Sequence, residues 1–189
     1  TCTAQLLYEL EDPQRYLQPD VVADFSEVRF TDEGPDRVRV EGAGGAERPS
    51  QLKVTLGYRD GYIGEGQISY AGPGARARGE LALEILKHRL AKIGFPIIEQ
   101  RAELIGVNAM HGPLLGSAME PYEVRVRLAV RTATRAQAER IGQEVEALYL
   151  NGPAGGGGVT QSVREVIAAA SALIPREAVV TAVQILELQ

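Results

Sequence analysis

The sequence predicts an α+β fold: an antiparallel sheet of ferredoxin-like, split βαβ topology, with an extra helix and an irregular N-terminal lead-in carrying a β-hairpin. Three observations carry that expectation. Leu52, Val54, Leu56 and Tyr58, and later Tyr122, Val124, Val126, Leu128 and Val130, alternate with polar residues or glycine, the period of a half-buried strand. Leu81, Ala82, Ile85, Leu86 and Leu90, and later Ala138, Ile141, Val145 and Leu148, recur at helical spacing. From Gln51 onward the order reads strand, helix, strand, strand, helix, helix, strand, which is the split βαβ plan once one helix is set aside.

In chain order, residues 1–50 read as a lead-in belonging to a larger upstream domain, and 51–189 as the α+β domain itself. Leu6, Leu7 and Leu10 mark a short helix, Thr3 to Leu10, which Asp12-Pro13 stops. Val21 to Phe25 is extended. Val28–Phe30 and Arg37–Glu41 flank the turn-rich Thr31 to Asp36 and predict a hairpin. In the domain, Asp60-Gly61 reads as a turn between two extended segments, the second running from Tyr62 to Tyr70. A helix from about Ala75 to Ile93 ends at Gly94, and an extended stretch, Ile97 to Val107, leads into a long irregular loop, Asn108 to Pro121. Thr134 and Gln137 stand at capping-box spacing before a helix reaching Leu150. Val163, Val166, Ile167, Ala170, Leu173 and Ile174 predict a third helix. The nearly continuous apolar run from Ala178 to Leu188 predicts a strand buried on both sides.

Composition removes several function classes. Twenty basic against 25 acidic residues leave a net charge of −5, with no electrostatic footprint for nucleic acid. No apolar run approaches the roughly 20 residues of a membrane span, and no secretory signal opens the chain. One cysteine forbids an internal disulfide, and two histidines argue against a metal site built on His and Cys. The expectation is a soluble cytoplasmic domain, a homo-oligomer, with no metal and no cofactor. The chain opens Thr-Cys-Thr inside a helical pattern and so reads as the continuation of something upstream. Thr1 would be a nucleophile activated by its own amine if the cut were specific; a boundary without chemistry is the alternative.

Four strings together carry a family likeness: Gln5 to Glu9 (QLLYE), Pro19 to Phe25 (PDVVADF), Gly57 to Tyr70 (GYRDGYIGEGQISY) and Asn151 to Gly158 (NGPAGGGG). Over nearly its whole length the chain resembles the C-terminal half of the acyclic terpene utilisation (AtuA) family. That resemblance implies a larger N-terminal portion of the same protein as partner. It also implies a setting in breakdown of acyclic terpenoid acids as coenzyme A thioesters. It supplies no catalytic residues, because the family's own reaction is not established.

The candidate site residues come from the chain itself. Gly155, Gly156, Gly157 and Gly158 precede the third predicted helix, and bare amides at a helix start form an anion site suited to phosphate or carboxylate. No Lys follows, so this is not a nucleotide P-loop, and a flexible connection that lets the helix pack is the competing reading. The stretch Tyr58 to Gly74 is so poor in side chains that its backbone invites close approach, by a ligand or another chain. There Glu65 is the candidate general base and Arg59 the candidate grip on a carboxylate or phosphate; a bulged hairpin with solvated charges is the alternative. His111, in the long loop with Asn108 and Ser117, is the candidate for proton transfer. Arg125, Arg127 and Arg131 share one face of their strand without the aromatics an RNA-binding sheet would interleave, so salt bridges or packing against the upstream portion explain them. The function expected is recognition of an acyl-CoA or carboxylate, against a scaffold domain that makes an oligomer, or a self-cleaved product with Thr1 as nucleophile.

Overall fold

A computed structural model of the chain describes residues 2–112 and 120–186. It is a mixed α/β structure with antiparallel sheets and few helices. The chain divides into two compact units, 1–57 with 169–189 and 58–168, the boundary falling within two long strands.

The first unit begins with helix α1 (Cys2–Glu9), followed by short strands β1 (Tyr16–Leu17) and β2 (Val22–Asp24). Strands β3 (Arg29–Asp32) and β4 (Val38–Glu41) form the predicted antiparallel hairpin, Arg29 opposite Glu41 and Asp32 opposite Val38. Their turn places Asp36 at φ 58°, a left-handed conformation that aspartate tolerates better than most residues. The glycine-rich connection contributes β5 (Gly44–Ala46), which pairs with β2.

Strand β6 (Gln51–Ala71) is one element of 21 residues, where the sequence predicted two strands and a turn. Gly61 adopts φ 84° without ending the strand, because glycine takes up at no steric cost the positive φ that otherwise signals a turn. A Cβ there would lie 2.3 Å from the Thr132 carbonyl oxygen, so the position requires glycine. Helix α2 (Ala75–Leu90) follows, its last turn basic, and Gly94 beyond it is left-handed at φ 84°. Strands β7 (Glu99–Ile105) and β8 (Glu123–Thr132) pair antiparallel, and β8 also pairs antiparallel with β6, Tyr62 opposite Thr132 through Ala71 opposite Glu123. Helix α3 (Arg135–Glu146) opens with the capping box predicted from Thr134 and Gln137 and is followed by the single turn α4 (Leu148–Asn151).

The third predicted helix does not form. Residues Gly156–Pro175 are strand β9, a hydrogen-bonded neighbour of β6 in a sheet of order β7-β8-β6-β9. Val159, Val163, Val166 and Ile167 fit a helical stripe by position, but β-branched residues favour the pleated surface and pairing with β6 decides the outcome. The strand expected over 178–188 is absent among the described residues for the same reason. β9 occupies the place beside β6, and the chain continues as a single 3₁₀ turn (Arg176–Ala178) into irregular backbone with Val180, Val183 and Ile185 exposed.

In the second unit the even-numbered residues of β8, Val124 to Thr132, face the helices and are buried. They meet Ile68, Tyr70, Leu86, Leu104, Ile141 and Val145 in one core. The contacts are close. An added Cβ at Gly64 would lie 1.9 Å from the Ala138 carbonyl oxygen, at Gly66 2.6 Å from the Val145 side chain, and at Gly79 2.6 Å from Leu104. Thus α3 itself makes the close approach that the glycines of β6 permit. Buried Glu144 ties the helices together, accepting from Arg89 of α2 and pairing with Arg140 at 2.8 Å.

Candidate functional site: the open face of the sheet

The odd-numbered residues of β8 lie on the face away from the helices, and the alternation that buries Val124 to Thr132 therefore presents Arg125, Arg127, Ala129 and Arg131 together. Glu103 stands directly opposite Arg127, and Glu99 opposite Arg131. Glu65 and Gln67 flank them from β6. Arg127 donates from Nη2 to Glu65 Oε2 at 2.6 Å and from Nη1 to Glu103 Oε1 at 2.8 Å. Arg101 Nε reaches the other Glu103 oxygen at 2.5 Å, and Gln67 Nε2 the other Glu65 oxygen at 2.6 Å. Arg125 then bridges Gln67, Ser69 Oγ (2.9 Å) and Thr160 Oγ1 (3.0 Å). One hydrogen-bonded line thus runs from β9 through β8 and β6 to β7.

Electrostatics follow from that line. The hydrogen bond from Arg127 holds the Glu65 carboxyl below the ordinary glutamate value, against the opposing push of burial. For Glu103 burial pushes upward, but the bonds from Arg127 and Arg101 outweigh it and the net shift is again downward. Between two carboxylates, Arg127 is held more firmly protonated than a free arginine. A carboxylate so stabilised in its charged form is a weak proton acceptor near neutral pH. Glu65 is thus held in its charged form between Arg127 and Gln67.

The other sequence-predicted residues do not join it. Arg59 pairs with Glu165 at 3.1 Å and is 81% exposed, on the stretch of β6 before Gly61. His111 sits exposed in the turns after β7, where the Asn108 side chain accepts from the Leu104 amide at 2.8 Å. Ser117 and Thr1 lie outside the described residues. The glycine tetrad does not stand at a helix mouth; it opens β9, so the dipole contribution expected there is lost. Gly155 and Gly158 are left-handed at φ 76° and 62°. Gly156 packs so closely that a Cβ would lie 2.8 Å from Ile68 and 3.1 Å from the Tyr70 ring. A Cβ at Gly158 would lie 3.6 Å from Arg125 Nη1, so the end of the tetrad adjoins the open face.

Two features escaped sequence reasoning. Arg78, from α2, donates to the carbonyls of Ala71, Pro73 and Ala154 and stacks 5.9 Å from the Tyr70 ring centroid, clamping the chain just before the tetrad. Nothing in the local pattern separates it from Arg76, two residues away. At the other end of the face lies a cavity of about 230 Å³ lined by Ile63, Ala129 and the arginines 101, 127, 131 and 164. Arg164 was invisible as a site residue while its segment read as a helix.

Among the described residues no group of three or more His, Cys, Asp and Glu comes together to hold a metal, and no helix is long and apolar enough to cross a membrane. No curated protein and no solved structure matches the chain. A family profile described as "Acyclic terpene utilisation family protein AtuA" matches residues 1–185, and the chain belongs to that family.

Proposed function

We propose that this chain serves acyclic terpene catabolism as the ligand-recognising C-terminal part of an AtuA-like protein, and that its ligand is an anion, an acyl-CoA or a carboxylate. The strand order, with β6-α2-β7 and β8-α3-β9 as its two halves and both helices on one face, supports the ferredoxin-like reading of the domain. The observation that carries the ligand is Arg125. Among the described residues its guanidinium meets only neutral acceptors, Gln67, Ser69 and Thr160, beside the left-handed Gly158. A part-buried cation without a counter-charge, next to backbone bare of side chains, suits an incoming phosphate or carboxylate. On this reading Gly155 to Gly158 and Arg125 hold the anion, Glu65 stiffens the face, and proton transfer belongs to the N-terminal portion, the expected partner along with a second copy.

The test is a thermal shift of the family protein with coenzyme A thioesters of branched acids. Ligand at about 100 times Kd stabilises by roughly 2.7 kcal/mol, a shift of several degrees. Arg125→Gln should weaken binding at least tenfold, and Arg125→Lys less. Absence of any shift, or full binding by Arg125→Gln, overturns the proposal. A scaffold role draws support from the tetrad's opening a strand instead of a helix; it gains if ligand binding fails while the oligomer persists.

A further inference from the structure

We infer that the cavity at the Arg131 end of the open face is a separate binding site for a single small oxyanion, the chemistry shared by a carboxylate and a phosphate monoester. The reasoning is an account of donors and does not depend on the glycine tetrad. Four arginines, Arg101, Arg127, Arg131 and Arg164, line a space of about 230 Å³, and among the described residues its only acidic lining residue is Glu99, itself 74% exposed. The acids deeper in the face are already engaged: Glu65 by Arg127 and Gln67, Glu103 by Arg101 and Arg127, Asp60 by Arg131.

Two donors are left over. Among the described residues Arg131 Nε is buried with no hydrogen-bond partner: Asp60 pairs with Nη1, and Glu99 lies 3.7 Å from Nε, too far for a hydrogen bond. Arg164 makes no hydrogen bond or ion pair among the described residues, and its charge adds to the lowering of the Glu65 pKa. A buried N–H without an acceptor is costly, and guanidinium groups pair naturally with a two-oxygen anion. Ile63 and Ala129 give the cavity an apolar wall beside these donors, which strengthens any charge pairing made there. At this volume the space takes one anionic group with a short stem; it falls below the roughly 300–1,000 Å³ of pockets that hold drug-sized ligands, so a complete coenzyme A does not fit inside it.

The experiment titrates the full chain with sodium acetate and, separately, inorganic phosphate at constant ionic strength, following calorimetric heat and the arginine Nε–H signals in ¹H–¹⁵N spectra. Saturable binding of either anion, with Arg131 Nε–H moving downfield and Arg164→Gln weakening it at least tenfold, is the expected result. Response to acetate alone assigns carboxylates, and response to phosphate alone assigns phosphate esters. Arg164 is exposed, so Arg164→Gln should fold normally, and Arg164→Lys should recover part of the affinity. If neither anion saturates, or if binding survives Arg164→Gln unchanged with Arg131 Nε–H unmoved, the inference is wrong.

Discussion

Replacing Gly64 with alanine is the sharpest probe of how α3 sits on the sheet. The new methyl carbon would lie 1.9 Å from the Ala138 carbonyl oxygen, 2.6 Å from its carbonyl carbon and 2.8 Å from its Cα. Ordinary contact begins near 3.4 Å, so the strand and helix must separate by about 1.5 Å at this point. The obstacle is helical backbone, which cannot swing aside as a side chain would. Lifting α3 also loosens Ile141 and Val145 from the core they share with Ile68 and Val130. Overpacking costs typically 1–3 kcal/mol and more where nothing can yield, so about 3–5 kcal/mol is expected here. That is a large part of a total stability of roughly 5–15 kcal/mol. With a urea slope near 2 kcal/mol/M, the unfolding midpoint should fall by about 1.5–2.5 M, or Gly64→Ala should not fold at all. Gly157→Ala is the comparator: its Cβ meets nothing within 4 Å and its φ is not left-handed, so its midpoint should stay within about 0.5 kcal/mol of wild type. A Gly64→Ala protein within about 1 kcal/mol of wild type would refute the close seating of α3.

Two further outcomes follow from the same interior and face. Tyr70 is fully buried, its hydroxyl has no partner among the described residues, and burial raises its pKa despite the opposing charge of Arg78. Tyr70→Phe should therefore leave the melting temperature unchanged or raise stability by about 1 kcal/mol, and a loss of that size would mean the hydroxyl is bonded after all. Glu65 and Glu103 titrate lower in the folded state than the ordinary value of 4.5. Their contribution is present above that pH and is lost as the pH falls through the folded values. Urea midpoints should drop as the pH falls below the ordinary value of 4.5, and the double variant Glu65→Gln, Glu103→Gln should flatten the drop; an identical slope in both proteins would contradict the ladder.

How far the sequence is legible depends on which forces act locally. β8 and α3 could be read directly, because clean alternation and a capping box are signals that tertiary contacts reinforce. β9 was misread because apolar residues at 159, 163, 166 and 167 satisfy a helical period, while a partner some 100 residues earlier in the chain selects the strand. The missing anion site at a helix mouth is a direct consequence of that one choice. Glu65 could be picked out by its glycine surroundings, but its role turns on Arg127, and only the register of β6 on β8 brings the two together. Arg164 and the orphan Nε of Arg131 could not be found by pattern at all, since a spare donor is defined by what every neighbour is doing.

Gly61 stands just outside the stretch of β6 that pairs with β8, which runs from Tyr62 to Ala71. A residue gained or lost ahead of Tyr62 would leave every one of those pairs in place. A single-residue deletion anywhere from Gly64 to Tyr70 would instead turn the stretch preceding it inside out, exchanging charge for core. Chain length can therefore vary next to the left-handed Gly61 without reversing which side of the paired stretch meets water.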